Sequence, residues 1–281
     1  MPLATTVELV AQAQAAGRAV GAFNAITLEH AEAIVAGAEA AGLPVIVQVS
    51  ENAVRFHGGR LGPLAAGCLA VAYASSARVA LHLDHVQDDD LLHQADLHGF
   101  SSVMYDASLL AYADNVSATR AAAEWGHAHG LWVEAELGAV GGKDGAHAPG
   151  VRTDPDEAAA YVAVTGVDAL AVAVGSSHAM IDRTAALDLA LVARLRAALP
   201  VPLVLHGSSG VPDDELRAAV AAGMVKVNIG TALNIAFTAE VRARLAAQPA
   251  VVDPRKYLAP GRDAMAAVVA AQLAVLAGRP N

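Results

Sequence analysis

The stretch PLVLHGSSGVPDDELRAAVAAGMVKVNIG, from Pro202 to Gly230, carries one complete unit of the fold. Pro202–Gly207 is a short apolar run that ends on a polar residue, His206. The turn Gly207-Ser208-Ser209-Gly210 leads into Val211-Pro212-Asp213-Asp214, where proline and acid suit the first turn of a helix. The helical stretch Pro212–Ala222 stops at Gly223, a usual residue just past a helix end, and a second apolar run, Met224–Gly230, follows at once. Strand, helix and strand in this order predict a right-handed parallel unit.

Six more apolar runs precede this unit: Ala19–Ala25, Pro44–Ser50, Val79–Asp84, Ser101–Asp106, Trp132–Gly138 and Ala169–Gly175. They are nearly continuous rather than alternating, as parallel strands covered on both faces should be. Between them lie helical patterns at Thr27–Ala41, Asp88–His98, Tyr112–His129, Pro155–Thr165 and Leu187–Leu199, with further helices expected at Thr6–Ala16 and Met265–Ala277. Eight strand-and-helix units predict an α/β fold. Residues 1–281 are read as a single (β/α)8 TIM barrel domain with an extra N-terminal helix and a C-terminal helical extension. An open doubly wound sheet is disfavoured because no G-x-G-x-x-G follows the first strand. The long irregular insertion Ala139–Thr153 reads as an active-site loop.

The 18 basic and 28 acidic side chains give a formal net charge of −10, which argues against a nucleic-acid partner. Cys68, alone of its kind, reads as a buried small hydrophobe in a cytoplasmic protein. Leu61–Ala77, the longest uncharged stretch, is interrupted by Gly62, Pro63 and Gly67 and falls short of the roughly 20 apolar residues a membrane span needs.

Polar residues inside apolar strands are costly, so their positions carry information. Here they gather at C-terminal ends: Ser50, Asp84 and His85, Asp106, Glu134 and Glu136, His178, His206 and Asn228. That is the face on which barrel active sites are built. Most of the 11 histidines read as ordinary helix or loop residues, but His85, His178 and His206 each follow an apolar strand at this rim. Three imidazoles from three strands predict a catalytic metal site with an open position. Glu134 and Glu136 share strand parity and project to one side, so they require a cation or a raised pKa. The glycines and hydroxyls of His206-Gly207-Ser208-Ser209-Gly210 and Asn228-Ile229-Gly230-Thr231 predict a phosphate cradle over the last two strands. Lys226 shares the parity of Asn228; it reads as structural or as a partner for a carboxylate, with an imine-forming role as the lesser alternative.

With these residues in place, the chain resembles the class II, metal-dependent ketose-bisphosphate aldolases, the fructose- and tagatose-bisphosphate branch. The resemblance rests on Leu81-His82-Leu83-Asp84-His85, Ser102-Val103-Met104-Tyr105-Asp106, Val133-Glu134-Ala135-Glu136-Leu137-Gly138, Val174-Gly175-Ser176-Ser177-His178, Leu205-His206-Gly207-Ser208-Ser209 and Lys226-Val227-Asn228-Ile229-Gly230-Thr231. It implies His85, His178 and His206 as zinc ligands, and Asp84 as the acid/base at the C4 hydroxyl. Glu136 and Asp106 would be carboxylates near the metal, sometimes holding a second ion. Asn24 and Ser50 fit as substrate contacts, Gly207, Ser209, Asn228 and Thr231 would hold the dihydroxyacetone phosphate half, and Arg255 would meet the distal phosphate. A sodium or potassium ion near the phosphate loops and a homo-oligomer, dimer or tetramer, are also implied.

Two positions depart from the family pattern. Ala179 stands where a glycine often follows the second zinc histidine, and Gly141-Gly142-Lys143-Asp144-Gly145 replaces a Gly-Gly-x-Glu-Asp loop that supplies a second acid/base. Asp144 or Glu134 could take that role. The expected reaction is reversible cleavage of a ketose 1,6-bisphosphate. The alternatives are an aldolase for a different phosphorylated ketose and a non-catalytic barrel that stabilises another aldolase.

Overall fold

The structure, a computed structural model, describes residues 3–137, 152–176 and 182–279. Helix α1 (Thr6–Ala15) opens the chain and is followed by β1 (Val20–Asn24), α2 (Leu28–Ala41), β2 (Val45–Ser50), α3 (Glu51–Phe56), α4 (Leu61–Ala74) and β3 (Val79–Val86). Then come α5 (Asp89–Leu92), β4 (Ser102–Tyr105), α6 (Tyr112–Ala128), β5 (Trp132–Glu136), α7 (Pro155–Thr165) and β6 (Ala169–Ala171). The order ends with α8 (Leu189–Ala198), β7 (Leu203–Leu205), α9 (Asp213–Ala222), β8 (Met224–Ile229), α10 (Thr231–Ala247) and α11 (Arg255–Leu276). The strands pair in sequence, all parallel, and β8 returns to β1 to close the barrel.

Closure divides each strand between two environments. Outward residues such as Val47, Leu81, Leu83, Val103 and Val133 pack under the helices. Inward residues of the strands, including Ala22, Ile46, Ala80, Trp132, Ala169 and Ala171, join Leu9, Val10 and Ala13 of α1 in a second apolar cluster. The extra N-terminal helix is therefore a plug. Its start is sharply set: Thr5 caps the Glu8 N–H while the Glu8 carboxylate accepts from the Thr5 N–H at 3.0 Å.

Three boundaries depart from the sequence reading. The helix expected over Asp88–His98 is only α5 plus a one-turn 3-10 helix at Asp96–His98; Leu97 points to solvent, so the segment lacks an apolar stripe long enough to hold one helix. β6 ends at Ala171, short of Gly175, because the Ala173 N–H donates to the Thr153 hydroxyl at 2.8 Å. The C-terminal helix begins at Arg255, ten residues before Met265, and continues through Pro260.

Candidate metal and phosphate site

A cavity of about 570 Å³ opens at the C-terminal ends of the strands. Asn24, Gln48 and Ser50, then Asp84, His85 and Asp106, line one side, while Gly207, Ser209, Asn228 and Thr231 line the other. Strand parity explains most of this. Gln48 and Ser50, His82 and Asp84, and Glu134 and Glu136 are each two residues apart, so each pair shares a face.

His85 breaks that rule, since it directly follows Asp84 and would otherwise point outward. Its φ of 51° is the one positive value at a non-glycine residue among the described residues, and the β3–β4 register shifts between Leu83 and Val86. The resulting irregularity turns consecutive side chains toward the same cavity. A bulge that re-aims a side chain is here what brings acid and imidazole together.

Each of the two described rim histidines is braced by a carboxylate. His85 Nδ1 lies 2.8 Å from Asp106 Oδ2, and the other Asp106 oxygen accepts from the Ser108 hydroxyl at 2.6 Å. His206 Nε2 lies 2.9 Å from Glu134 Oε1, and Glu134 Oε2 accepts from Lys226 Nζ at 2.7 Å. A carboxylate against one ring nitrogen is what a metal-ligating imidazole normally carries. Glu136 is buried with an oxygen 3.5 Å from His206 Nδ1. Asp84, His85 and His206 each offer an atom within 4.8 Å of the others.

Electrostatics point the same way. Burial alone would lower the His85 pKa, but Asp84, Asp106 and Glu136 together push it up to about 10. The field that draws a proton onto this ring is the field a divalent cation would meet. Burial would raise the Asp106 carboxyl, yet its bonds to His85 and Ser108 hold it well below the usual range. His82, fully buried beneath, is held far below its ordinary value first by burial and then by the charge of Lys226, so it is neutral; its Nδ1 lies 2.8 Å from the Ser102 hydroxyl. Two imidazoles and a carboxylate, with neighbouring acids, are a donor set that fits a borderline divalent metal such as zinc.

Asp84 is positioned by amides. Asn24 Nδ2 and Gln48 Nε2 donate to its Oδ2 at 3.2 and 3.3 Å, and Asn228 Nδ2 approaches Oδ1 at 3.4 Å. Asn228 is itself fixed by Lys226 Nζ, 2.8 Å from its Oδ1. Lys226 is thus fully buried against Glu134 and Asn228.

Opposite Asp84, the β7 and β8 loops form a concave wall. Gly207 takes a left-handed φ of 64°, and a Cβ at Gly230 would stand 2.8 Å from Asn24 Oδ1, so both positions favour glycine. Thr231 opens the 17-residue α10, whose positive end faces the cavity, and Ser209 Oγ accepts from the Ala232 N–H at 3.1 Å. Ser50 caps α3 through the Ala53 N–H at 3.2 Å while lining the cavity.

One expected participant, Arg255, stands apart from the cavity, and three further positions are not described. Arg255, at the start of α11, is exposed, pairs with Asp253 at 2.8 Å and is not among the lining residues. His178 and Ala179 fall within residues 177–181, and Asp144 within residues 138–151, which are outside the described residues. Sequence reasoning did not single out Gln48, which steadies Asp84, nor Glu51, Asn52 and Arg55 on α3; period two backward from Ser50 would have marked Gln48.

The family described as fructose-bisphosphate aldolase class-II matches residues 4–279. The fructose-bisphosphate aldolase of Geobacillus stearothermophilus is 41% identical over 273 residues, covering 96% of this chain and 95% of that one. That of Thermus caldophilus is 37% identical over 300 residues, covering 96% and 97%. Among solved structures, the YdjI aldolase of Escherichia coli K12 superposes with a TM-score of 0.83 at 29% identity, covering 98% of this chain and 97% of that one. With the family matched along nearly its whole length, the chain belongs to the class-II fructose-bisphosphate aldolases.

Proposed function

We propose that the chain, a single domain over 1–281, is a zinc-dependent aldolase that reversibly cleaves fructose or tagatose 1,6-bisphosphate to dihydroxyacetone phosphate and glyceraldehyde 3-phosphate. The observation that carries this reading is the convergence of Asp84, His85 and His206 within 4.8 Å, facing a glycine- and hydroxyl-lined wall across one cavity. His85 and His206 would hold the metal together with His178, with the carboxylates of Asp106 and Glu136 beside them. A sodium or potassium ion beside the β7 and β8 loops, a cytoplasmic location and a homo-oligomer belong to the same reading. Among the described residues no helix is long and apolar enough to cross a membrane.

When bound, zinc supplies Lewis-acid stabilisation of the negative charge that develops on the ketone oxygen. Asp84, free of any cationic partner among its hydrogen bonds, takes the C4 hydroxyl proton as the C3–C4 bond breaks, and the electron pair left on C3 gains a proton from a second acid/base to complete dihydroxyacetone phosphate. Asn24 and Gln48 keep its carboxylate aimed. Gly207, Ser209, Asn228 and Thr231 hold the phosphate of the triose half, so the reacting carbons are presented in one orientation and the entropic part of the barrier falls.

A coupled assay of fructose and tagatose 1,6-bisphosphate cleavage, with and without chelator, tests this. Turnover of one of them that vanishes in chelator and returns with Zn²⁺ is expected. Chelator-resistant turnover, or none on any phosphorylated ketose, would overturn it.

A further inference from the structure

Asn228 lines the cavity with an amide whose two ends meet different neighbours. Its Nδ2 lies 3.4 Å from Asp84 Oδ1 and 3.0 Å from His206 Nε2, while its Oδ1 accepts from Lys226 Nζ at 2.8 Å. The oxygen and the NH2 group of an amide are so alike in shape that packing scarcely distinguishes one orientation from its half-turn. Hydrogen bonding must therefore decide which end faces Asp84.

The decision follows from donor and acceptor capacity. A carboxylate only accepts and an ammonium only donates. With Lys226 on one side and Asp84 on the other, the observed orientation is favourable at both ends. The half-turned amide would set its NH2 against the ammonium and its oxygen against the carboxylate.

Lys226 is held where it can enforce this choice. It is fully buried, and its neighbours at the same level, Val20 on β1 and Val204 on β7, are apolar. Glu134, on β5 three strands away, accepts from Nζ at 2.7 Å and keeps the ammonium inside the barrel. Lys226 and Asn228 are two residues apart on β8, so both face inward. Charge balance needs only Glu134. The second bond goes to an amide that borders the cavity, which Lys226 itself does not line.

We infer that Lys226 is a positioning residue of the reaction: it locks the Asn228 amide with its NH2 toward Asp84, so that a donor always stands beside the proton acceptor. The inference rests on the aldolase reading above. It gives the buried lysine a part in turnover without contact with the substrate, distinct from its pairing with Glu134.

The test measures what Asn228→Ala costs in kcat/KM for fructose or tagatose 1,6-bisphosphate, first in the wild type and then in Lys226→Met. Zn²⁺ is saturating throughout, and bound zinc is measured in each protein. Lys226→Met alone should lower kcat/KM by roughly 10- to 100-fold with a full complement of zinc. Asn228→Ala should cost roughly tenfold or more in the wild type but no more than about threefold in Lys226→Met, because residues acting through one contact are not additive. Should Lys226→Met fail to fold, the same comparison is made in Lys226→Met/Glu134→Gln, which strands neither charge of the pair. An equal cost of Asn228→Ala in both backgrounds, or wild-type kcat/KM in Lys226→Met, would overturn the assignment. So would a loss that tracks missing zinc, which would place the effect on the Glu134 and His206 side instead. A wild type inactive on both sugars is the distinct result that removes the aldolase reading itself.

Discussion

The barrel interior is apolar where α1 enters it and polar where the cavity opens, and the change takes two residues on the same strands. Ile46 gives way to Gln48 on β2, Ala80 to His82 on β3, and Trp132 to Glu134 on β5. These residues are buried at both levels; the way their side chains satisfy one another differs. Below, small alanines leave room for Trp132 and for Leu9 of the plug, and stability comes from close packing. Above, Lys226, Glu134 and His206 form a chain of paired groups without solvent exposure, so each depends on its neighbour's charge. Packing errors at the lower level cost volume, whereas errors at the upper level leave a charge without a counterion.

The comparison breaks most visibly at Asp84. Asp84→Asn keeps the side chain's size but removes the proton acceptor, so kcat should fall by roughly 10²–10⁴-fold while the melting temperature changes little. Steady-state kinetics with a parallel melt check this, and retention of most of the wild-type kcat would move the acid/base role elsewhere. Lys226→Met comes next. It strands the Glu134 carboxylate in the interior and should cost about 3–5 kcal/mol in denaturant unfolding. Adding Glu134→Gln should return much of that loss, because the charge is then gone. A single variant as stable as the wild type would show that the upper level is not held by paired charge. At the lower level, Trp132→Ala should cost about 3 kcal/mol through the cavity it leaves, with kcat and KM of the folded enzyme unchanged.

These levels were unequally legible. Buried parallel strands write themselves as apolar runs, so all eight were visible, and counting them implied closure. Glu134 and Glu136 could be placed on one face by parity alone. His85 could be identified as a rim residue but not aimed, because parity sends it outward and only its φ of 51° turns it in. The pairing of Lys226 with Glu134, 92 residues apart in the chain, follows from charge balance inside a closed barrel, yet one sequence does not say which carboxylate answers which ammonium. Gln48 was hidden within an apolar run because a neutral amide disturbs the pattern less than a charge does. Arg55 looked like any exposed helical arginine until Ser50 and α3 were seen to border the cavity.

The smallest effect belongs to the residue that joins the two levels. The Thr6 hydroxyl, at the start of α1, hydrogen-bonds to the Ser102 hydroxyl, which lies 2.8 Å from His82 Nδ1 at the base of the polar layer. Thr6→Val replaces that hydroxyl with a methyl of similar shape and should cost about 1 kcal/mol, since Ser102 keeps His82 as a partner and no buried group is orphaned. Urea midpoints measure the loss, and kcat should stay close to the wild-type value. A marked fall in kcat would show instead that the plug helix orders the reaction centre through Ser102 and His82, and the two levels would then have to be treated as one cooperative unit.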